Sequence, residues 1–152
     1  YPLWNNAILP VLFVVSALSA GLAATSLVGL ITDRERFEQM WLIKKSHVIL
    51  SAIEMVVLAT MLIIVSSGSP EGAASVASLV SGQYAPMFWG GLVLLGLVAP
   101  FAIEGYPVFV TRKVETSTTS MVVSVIGEGG VLVGGFMLRL LVILAALPVL
   151  YL

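Results

Sequence analysis

His47, Glu54, Glu104, Glu128 and Arg139 interrupt stretches that are otherwise almost wholly apolar. Carboxylates and an imidazole are the side chains that take up and release protons, and a guanidinium holds anions or carbonyl oxygens. Their spacing groups some of them. His47, Ser51 and Glu54 stand at i, i+4 and i+7 and share one helix face. Glu128 and Arg139 also return to one face, but about 16 Å apart along the axis, so they cannot touch. A charge at the centre of a bilayer costs about 2.5–3.5 kcal/mol on insertion scales, so such groups face a bundle interior and must be paired, neutralised or hydrated. Two readings follow. In one, Glu54 and Glu128, nearest the midplane, form a proton path or protonate a bound redox molecule, with His47 and Glu104 connecting them to the cytoplasmic ends of their helices. In the other, each group caps a helix end, pairs with another chain, or sits neutral and hydrogen-bonded. Arg139, in the outer half, divides between structural pairing and contact with an anionic or carbonyl group.

Other chemistries are excluded by what is missing. Cysteine is absent, which removes disulfides, thiolate metal sites and Cys-ligated iron–sulfur clusters. The single histidine cannot supply a bis-His haem; a Met/His haem is formally open with six Met, but Met is ordinary in apolar helices. The run GEGGVLVGG (Gly127 to Gly135) is not a nucleotide loop: Leu132 stands at the third glycine position of GxGxxG, and no Lys follows as a P-loop requires. Net charge is −1, with no field for nucleic acid. No catalytic nucleophile and no metal site is expected. A redox role then needs a partner that delivers electrons and a carrier dissolved in lipid.

The elements that must hold these groups are membrane spans. The chain of 152 residues is 59% hydrophobic and 10% charged, with mean hydropathy +1.11. A soluble domain is nearer 45–50% apolar and about 25% charged, so there is too little polar surface here to face water. Apolar runs of the roughly 20 residues that cross a hydrocarbon core predict spans over 8–31, 46–66, 86–109 and 119–147. Connector 32–45 holds Asp33, Arg34, Glu35, Arg36, Glu38, Lys44 and Lys45; connector 110–118 holds Arg112, Lys113 and Glu115. Loop 67–84 is small and polar, with a short interfacial helix expected over 73–80. The reading is all-α, a transmembrane four-helix bundle forming a single domain over 1–152.

Basic residues sit in the first and third connectors and not in the second, which places those connectors in the cytoplasm and both termini on the non-cytoplasmic side. Tyr1, Trp4, Tyr84, Trp89 and Tyr151 mark the outer edge, and Trp41 and Tyr106 the inner one. Asn5 and Asn6 are expected to cap the first helix. Ridges of small residues (Ser16, Ala20, Ala24; Ala17, Gly21, Thr25; Gly130, Gly134) are expected to bring helix backbones together.

The wording of the helices resembles a known family. PLWNNAILPVLFVVSALSAGLA (Pro2 to Ala23) looks like the helix opening the second half of the NrfD/PsrC, polysulfide-reductase-type, membrane subunits. SHVILSAIEMVVLATML (Ser46 to Leu62), APMFWGGLVLLGLVAPF (Ala85 to Phe101) and GGFMLRLLVILAALP (Gly134 to Pro148) are similar to the three helices that follow it. The resemblance implies an eight-helix subunit of two four-helix bundles, of which this is the C-terminal half and the N-terminal half is missing. It implies partners, an iron–sulfur ferredoxin-like subunit and a catalytic subunit, and a cofactor, menaquinone or ubiquinone, exchanged without a haem and held mainly in the N-terminal bundle. Proton movement through buried carboxylates is also implied, with Glu54, Glu128 and Arg139 on the family's buried polar positions. The implied setting is a prokaryotic cytoplasmic membrane, and the function that of a membrane anchor exchanging electrons between an iron–sulfur partner and quinone. Rivals from other classes are a proton- or ion-coupled transporter or channel half, and a non-catalytic scaffold.

Overall fold

A computed structural model describes residues 4, 6–32, 41–111 and 117–146. The charges Asp33, Arg34, Glu35, Arg36, Glu38, Arg112, Lys113 and Glu115, together with Tyr1, Asn5 and Tyr151, lie outside the described residues. Helix α1 runs Ile8–Thr32, α2 Trp41–Gly68 and α3 Pro70–Val80. The third span is composite: a π-helical stretch, π1, over Met87–Val98, then α4 over Ala99–Tyr106 and a second π-helical stretch, π2, over Pro107–Thr111. Helix α5 runs Thr118–Ala146. Four helices are therefore long and apolar enough to cross a membrane, and the described residues include no strand. The fold is an all-α transmembrane four-helix bundle.

The bundle is inside-out by the standard of a soluble protein. Large apolar side chains such as Val14, Val28, Ile31, Val56, Ile63, Phe109 and Ile126 point outward, where lipid solvates them. The buried set includes Lys44, His47, Glu54, Glu104, Glu128 and several serines. Around the ring α1 packs on α2 and α5, and α5 packs along π1 and α4. At one end α4 closes against α2; at the other, α3 wedges between α2, π1 and α5.

Local chemistry sets the helix ends. Asn6 Oδ1 accepts the Ile8 amide at 3.0 Å, capping α1 as expected of it. Ser69 Oγ accepts the Gly72 amide at 3.0 Å, and Pro70 occupies the first turn of α3, so the loop helix begins three residues before its expected start. Helix α2 starts five residues earlier than the sequence indicated. Lys44 and Lys45 read as connector charges, yet Lys44 is drawn into the bundle and Lys45 lies over the Trp41 ring at 5.1 Å.

Two packing expectations divide. On α5, Gly130 and Gly134 do permit close approach: a Cβ on Gly130 would lie 2.6 Å from the Leu95 carbonyl oxygen, and Gly134 meets Gly96 backbone to backbone. On α1 the expected ridges are not the contact line, because Ala17, Gly21, Ala24 and Thr25 face outward. The buried line is Leu12, Ser16, Ser19, Ala23, Ser26 and Leu30. A strict four-residue repeat drifts about 40° per step around an α-helix, whereas alternating fours and threes keeps one face inward.

The third span shows the converse. Its buried residues include Phe88, Leu92, Gly96, Pro100, Glu104 and Val108, an unbroken repeat of four. In a pure α-helix that repeat would wander about 200° over its length. The π-helical stretches place more residues in each turn and cancel the drift. Underwinding is what keeps Glu104 on the same inward line as Phe88.

Candidate functional site: a buried histidine–carboxylate cluster

Three spans bring one ionisable group each to a single point. His47 of α2 places Nδ1 at 2.6 Å from Glu104 Oε2 of α4 and 3.3 Å from Glu128 Oε2 of α5. All three side chains are 1% exposed. At these distances the imidazole and the two carboxylates form one close ionisable contact away from water. The remaining span, α1, presents Ser26 toward Glu128. Both ring nitrogens of His47, Glu104 Oε1 and Glu128 Oε2 lack a well-directed hydrogen bond among the described residues, so the cluster retains donor and acceptor capacity.

One turn below His47, Lys44 is also inside, 2% exposed, with Nζ donating to Ser124 Oγ at 2.7 Å. It lies in the electrostatic field of both Glu104 and Glu128. Sequence reasoning assigned Lys44 to a cytoplasmic connector and missed Ser124 and Ser26. A signal was present: the buried face of α2 reads Lys44, His47, Ser51, Glu54, Leu58, Met61, Val65, in alternating threes and fours, and Lys44 extends that line by one turn.

Of the residues singled out in the sequence, His47, Glu104 and Glu128 are brought together and Glu54 and Arg139 are not part of that cluster. Glu54 lies about 10 Å further along α2. It is 5% exposed, faces Ser16 of α1, and feels His47 on one side and Arg139 on the other. Half-buried Arg139 donates Nη1 to the carbonyl of Gly135, one turn back on its own helix, at 3.2 Å. A Cβ on Gly135 would touch both Arg139 Nη1 and Ser16 Oγ at 3.6 Å, so glycine leaves room for the two to converge near Glu54. The site is thus two stations, a four-group cluster at one end and Glu54 with Arg139 deeper, and the serines of α1 run between them.

The donor types at His47, Glu104 and Glu128 are those a metal ion uses, and their nearest atoms all lie within 4.8 Å of one another. Lys44 reaches into the field of Glu104 and Glu128, so a cation there would compete with it for the same carboxylates. A separate cavity of about 260 Å³ opens between α2 and π1 under the α3 wedge, lined by Met55, Leu58, Leu62, Phe88, Trp89 and Val93 among others. It would accept a hydrocarbon tail but offers no side-chain donor for a quinone head: the Trp89 indole N–H is given to the Val80 carbonyl at 2.9 Å.

Comparison with known proteins accords with this architecture. Residues 1–150 match the family described as polysulphide reductase, NrfD. The chain is 26% identical over 147 residues to a protein named NrfD homolog from Haemophilus influenzae, covering 95% of this chain and 44% of the relative. It is 29% identical over 109 residues to the C subunit of polysulfide reductase from Wolinella succinogenes, covering 68% of this chain and 34% of that subunit. The chain therefore spans less than half the length of the curated relatives it matches. No solved structure matches. Four apolar spans enclosing a buried acid cluster, with the family's sequence running through nearly all of them, lead to one conclusion: the chain belongs to the NrfD, or polysulphide reductase, family of membrane proteins.

Proposed function

We propose that these residues form the C-terminal four-helix half of an eight-helix membrane subunit that links an iron–sulfur partner and a catalytic subunit to menaquinone or ubiquinone. Residues 1–152 make one transmembrane domain in this reading, set in a prokaryotic cytoplasmic membrane with both termini outside. The positive-inside distribution of the connectors supports that orientation. Oxidation of a quinol releases two electrons and two protons, and the reverse consumes them. The electrons pass to or from the iron–sulfur partner; protons are exchanged through His47, Glu104 and Glu128, with Glu54 the deeper station. The observation that carries the reading is that cluster: three titratable groups from three spans, all 1% exposed, in contact where a bilayer would make them costly. The quinone head is assigned to the preceding half, because the apolar cavity here lacks a donor to orient it.

A non-catalytic scaffold is favoured by one observation, that Lys44 and His47 stand beside the buried acids within the chain. Purification of the full-length subunit with its complex separates the readings. Co-purifying iron–sulfur protein and quinone-linked turnover support the proposal. Turnover without this subunit would favour the scaffold, and substrate flux in liposomes lacking any redox partner would favour a transporter.

A further inference from the structure

His47, Glu104 and Glu128 come from α2, α4 and α5, and each offers one ligand atom within 4.8 Å of the other two. Among the described residues no other group of His, Cys, Asp or Glu side chains converges in this way. Residue order hides the arrangement, because its members stand on three different helices. Four-coordinate zinc holds nitrogen and oxygen at about 2.0–2.2 Å, which sets neighbouring ligand atoms about 3.3–3.5 Å apart. The contact from His47 Nδ1 to Glu128 Oε2, at 3.3 Å, already has that span. The contact to Glu104 Oε2, at 2.6 Å, would open by about 0.7 Å to match it, a small turn about the bonds of a glutamate side chain.

The donors are also left open. His47 Nδ1 touches both carboxylates yet makes a well-directed hydrogen bond to neither, and Nε2, Glu104 Oε1 and Glu128 Oε2 make none among the described residues. At 1% exposure no bulk water serves them. Polar atoms gathered round one point and unpaired at that depth are what a cation's coordination shell requires. A mixed set of imidazole and carboxylate suits zinc and its first-row neighbours, whereas magnesium and calcium take shells of oxygen. Lys44, in the field of the same two acids, competes with an ion for them, which makes the seat one for a reversible visitor rather than a permanent structural metal. We propose that His47, Glu104 and Glu128 are a three-ligand seat for a zinc-like divalent cation, and that the bound ion holds these groups out of proton exchange. The binding claim stands by itself; only the block on exchange rests on the proton-exchange reading.

The test is a zinc titration of the full-length subunit in its complex, with bound zinc counted by equilibrium dialysis and its neighbours read by X-ray absorption at the zinc edge. Wild type is expected to hold a zinc site that Glu104→Gln and Glu128→Gln weaken by at least about tenfold. Glu54→Gln, whose acid lies about 10 Å away along α2, is expected to bind zinc as wild type does. The zinc signal that separates wild type from Glu128→Gln is expected to show an imidazole and oxygen neighbours at about 2.0–2.2 Å, with no sulfur, and to persist in excess magnesium. Should neither glutamine variant assemble, the wild-type complex must still show that imidazole and oxygen signature, and its absence overturns the proposal. Equal zinc binding by wild type and both glutamine variants, loss of the site in Glu54→Gln, sulfur neighbours, or displacement by magnesium would each overturn it as well. Zinc bound at the seat with quinone-linked turnover unchanged would leave the seat standing and strike only at the proton-exchange reading.

Discussion

Gly134→Ala is expected to loosen the bundle where it matters most for the cluster. The seam between α5 and π1 is the most extensive helix contact among the described residues, and within it Gly96 and Gly134 oppose each other. A Cβ placed on Gly96 would stand 2.5 Å from the Gly134 Cα, about 0.9 Å short of ordinary contact, and the obstacle is backbone on both sides. No rotamer relieves it, so the helices must separate. Overpacking of this kind costs about 1–3 kcal/mol, and the separation lies on the two elements that lead to Glu104 and Glu128. Gly90→Ala and Gly129→Ala are the controls: neither site has an atom within 4 Å of the added carbon, and alanine is the better helix former by about 0.8–1.0 kcal/mol. Thermal unfolding of the detergent-solubilised complex is expected to show Gly134→Ala and Gly96→Ala destabilised and the two controls unchanged or slightly stabilised. Equal stability of all four variants would refute the close-approach argument.

His47→Leu strands two buried carboxylates without the imidazole that touches both and is expected to cost about 3–5 kcal/mol, seen as loss of assembled subunit; full accumulation would contradict the pairing. Trp89→Phe removes the 2.9 Å bond to Val80, worth about 0.5–1.5 kcal/mol, and should speed hydrogen exchange in α3 with little change elsewhere. Deleting Leu94 from π1 should be tolerated, since an underwound segment can tighten toward α geometry and keep Glu104 inward; deleting Leu132 from α5 should not, because it turns Ser124 and Glu128 about 100° relative to Leu138. Equal damage from the two deletions would argue against the underwinding account.

Much of this architecture could be read from residue order, because a bilayer demands long apolar helices and makes ionisable interruptions conspicuous. The spans, the cap at Asn6 and the glycine approach at Gly130 and Gly134 all follow from local rules. What could not be read was the meeting of His47, Glu104 and Glu128. They belong to different helices, and spacing along a chain says nothing about contact between helices. The π-helical winding of the third span was likewise hidden, because its four-residue repeat looks like an imperfect α pattern until its drift is counted. Lys44 was misplaced for a different reason. A lysine next to another lysine at the end of an apolar run reads as a connector charge, and only the face it shares with His47 and Glu54 reveals it as internal.

The most direct test of a proton role for the buried acids is quinone-linked turnover of the intact complex carrying Glu128→Gln or Glu54→Gln, each amide keeping the volume and losing the exchangeable proton. A positioned proton-transfer group contributes about 10²–10⁴-fold to rate, so turnover is expected to fall by at least about tenfold in the Glu128→Gln complex, with its subunits still assembled. Unchanged turnover in both variants would contradict the account and leave the acids as structural partners of Lys44, His47 and Arg139.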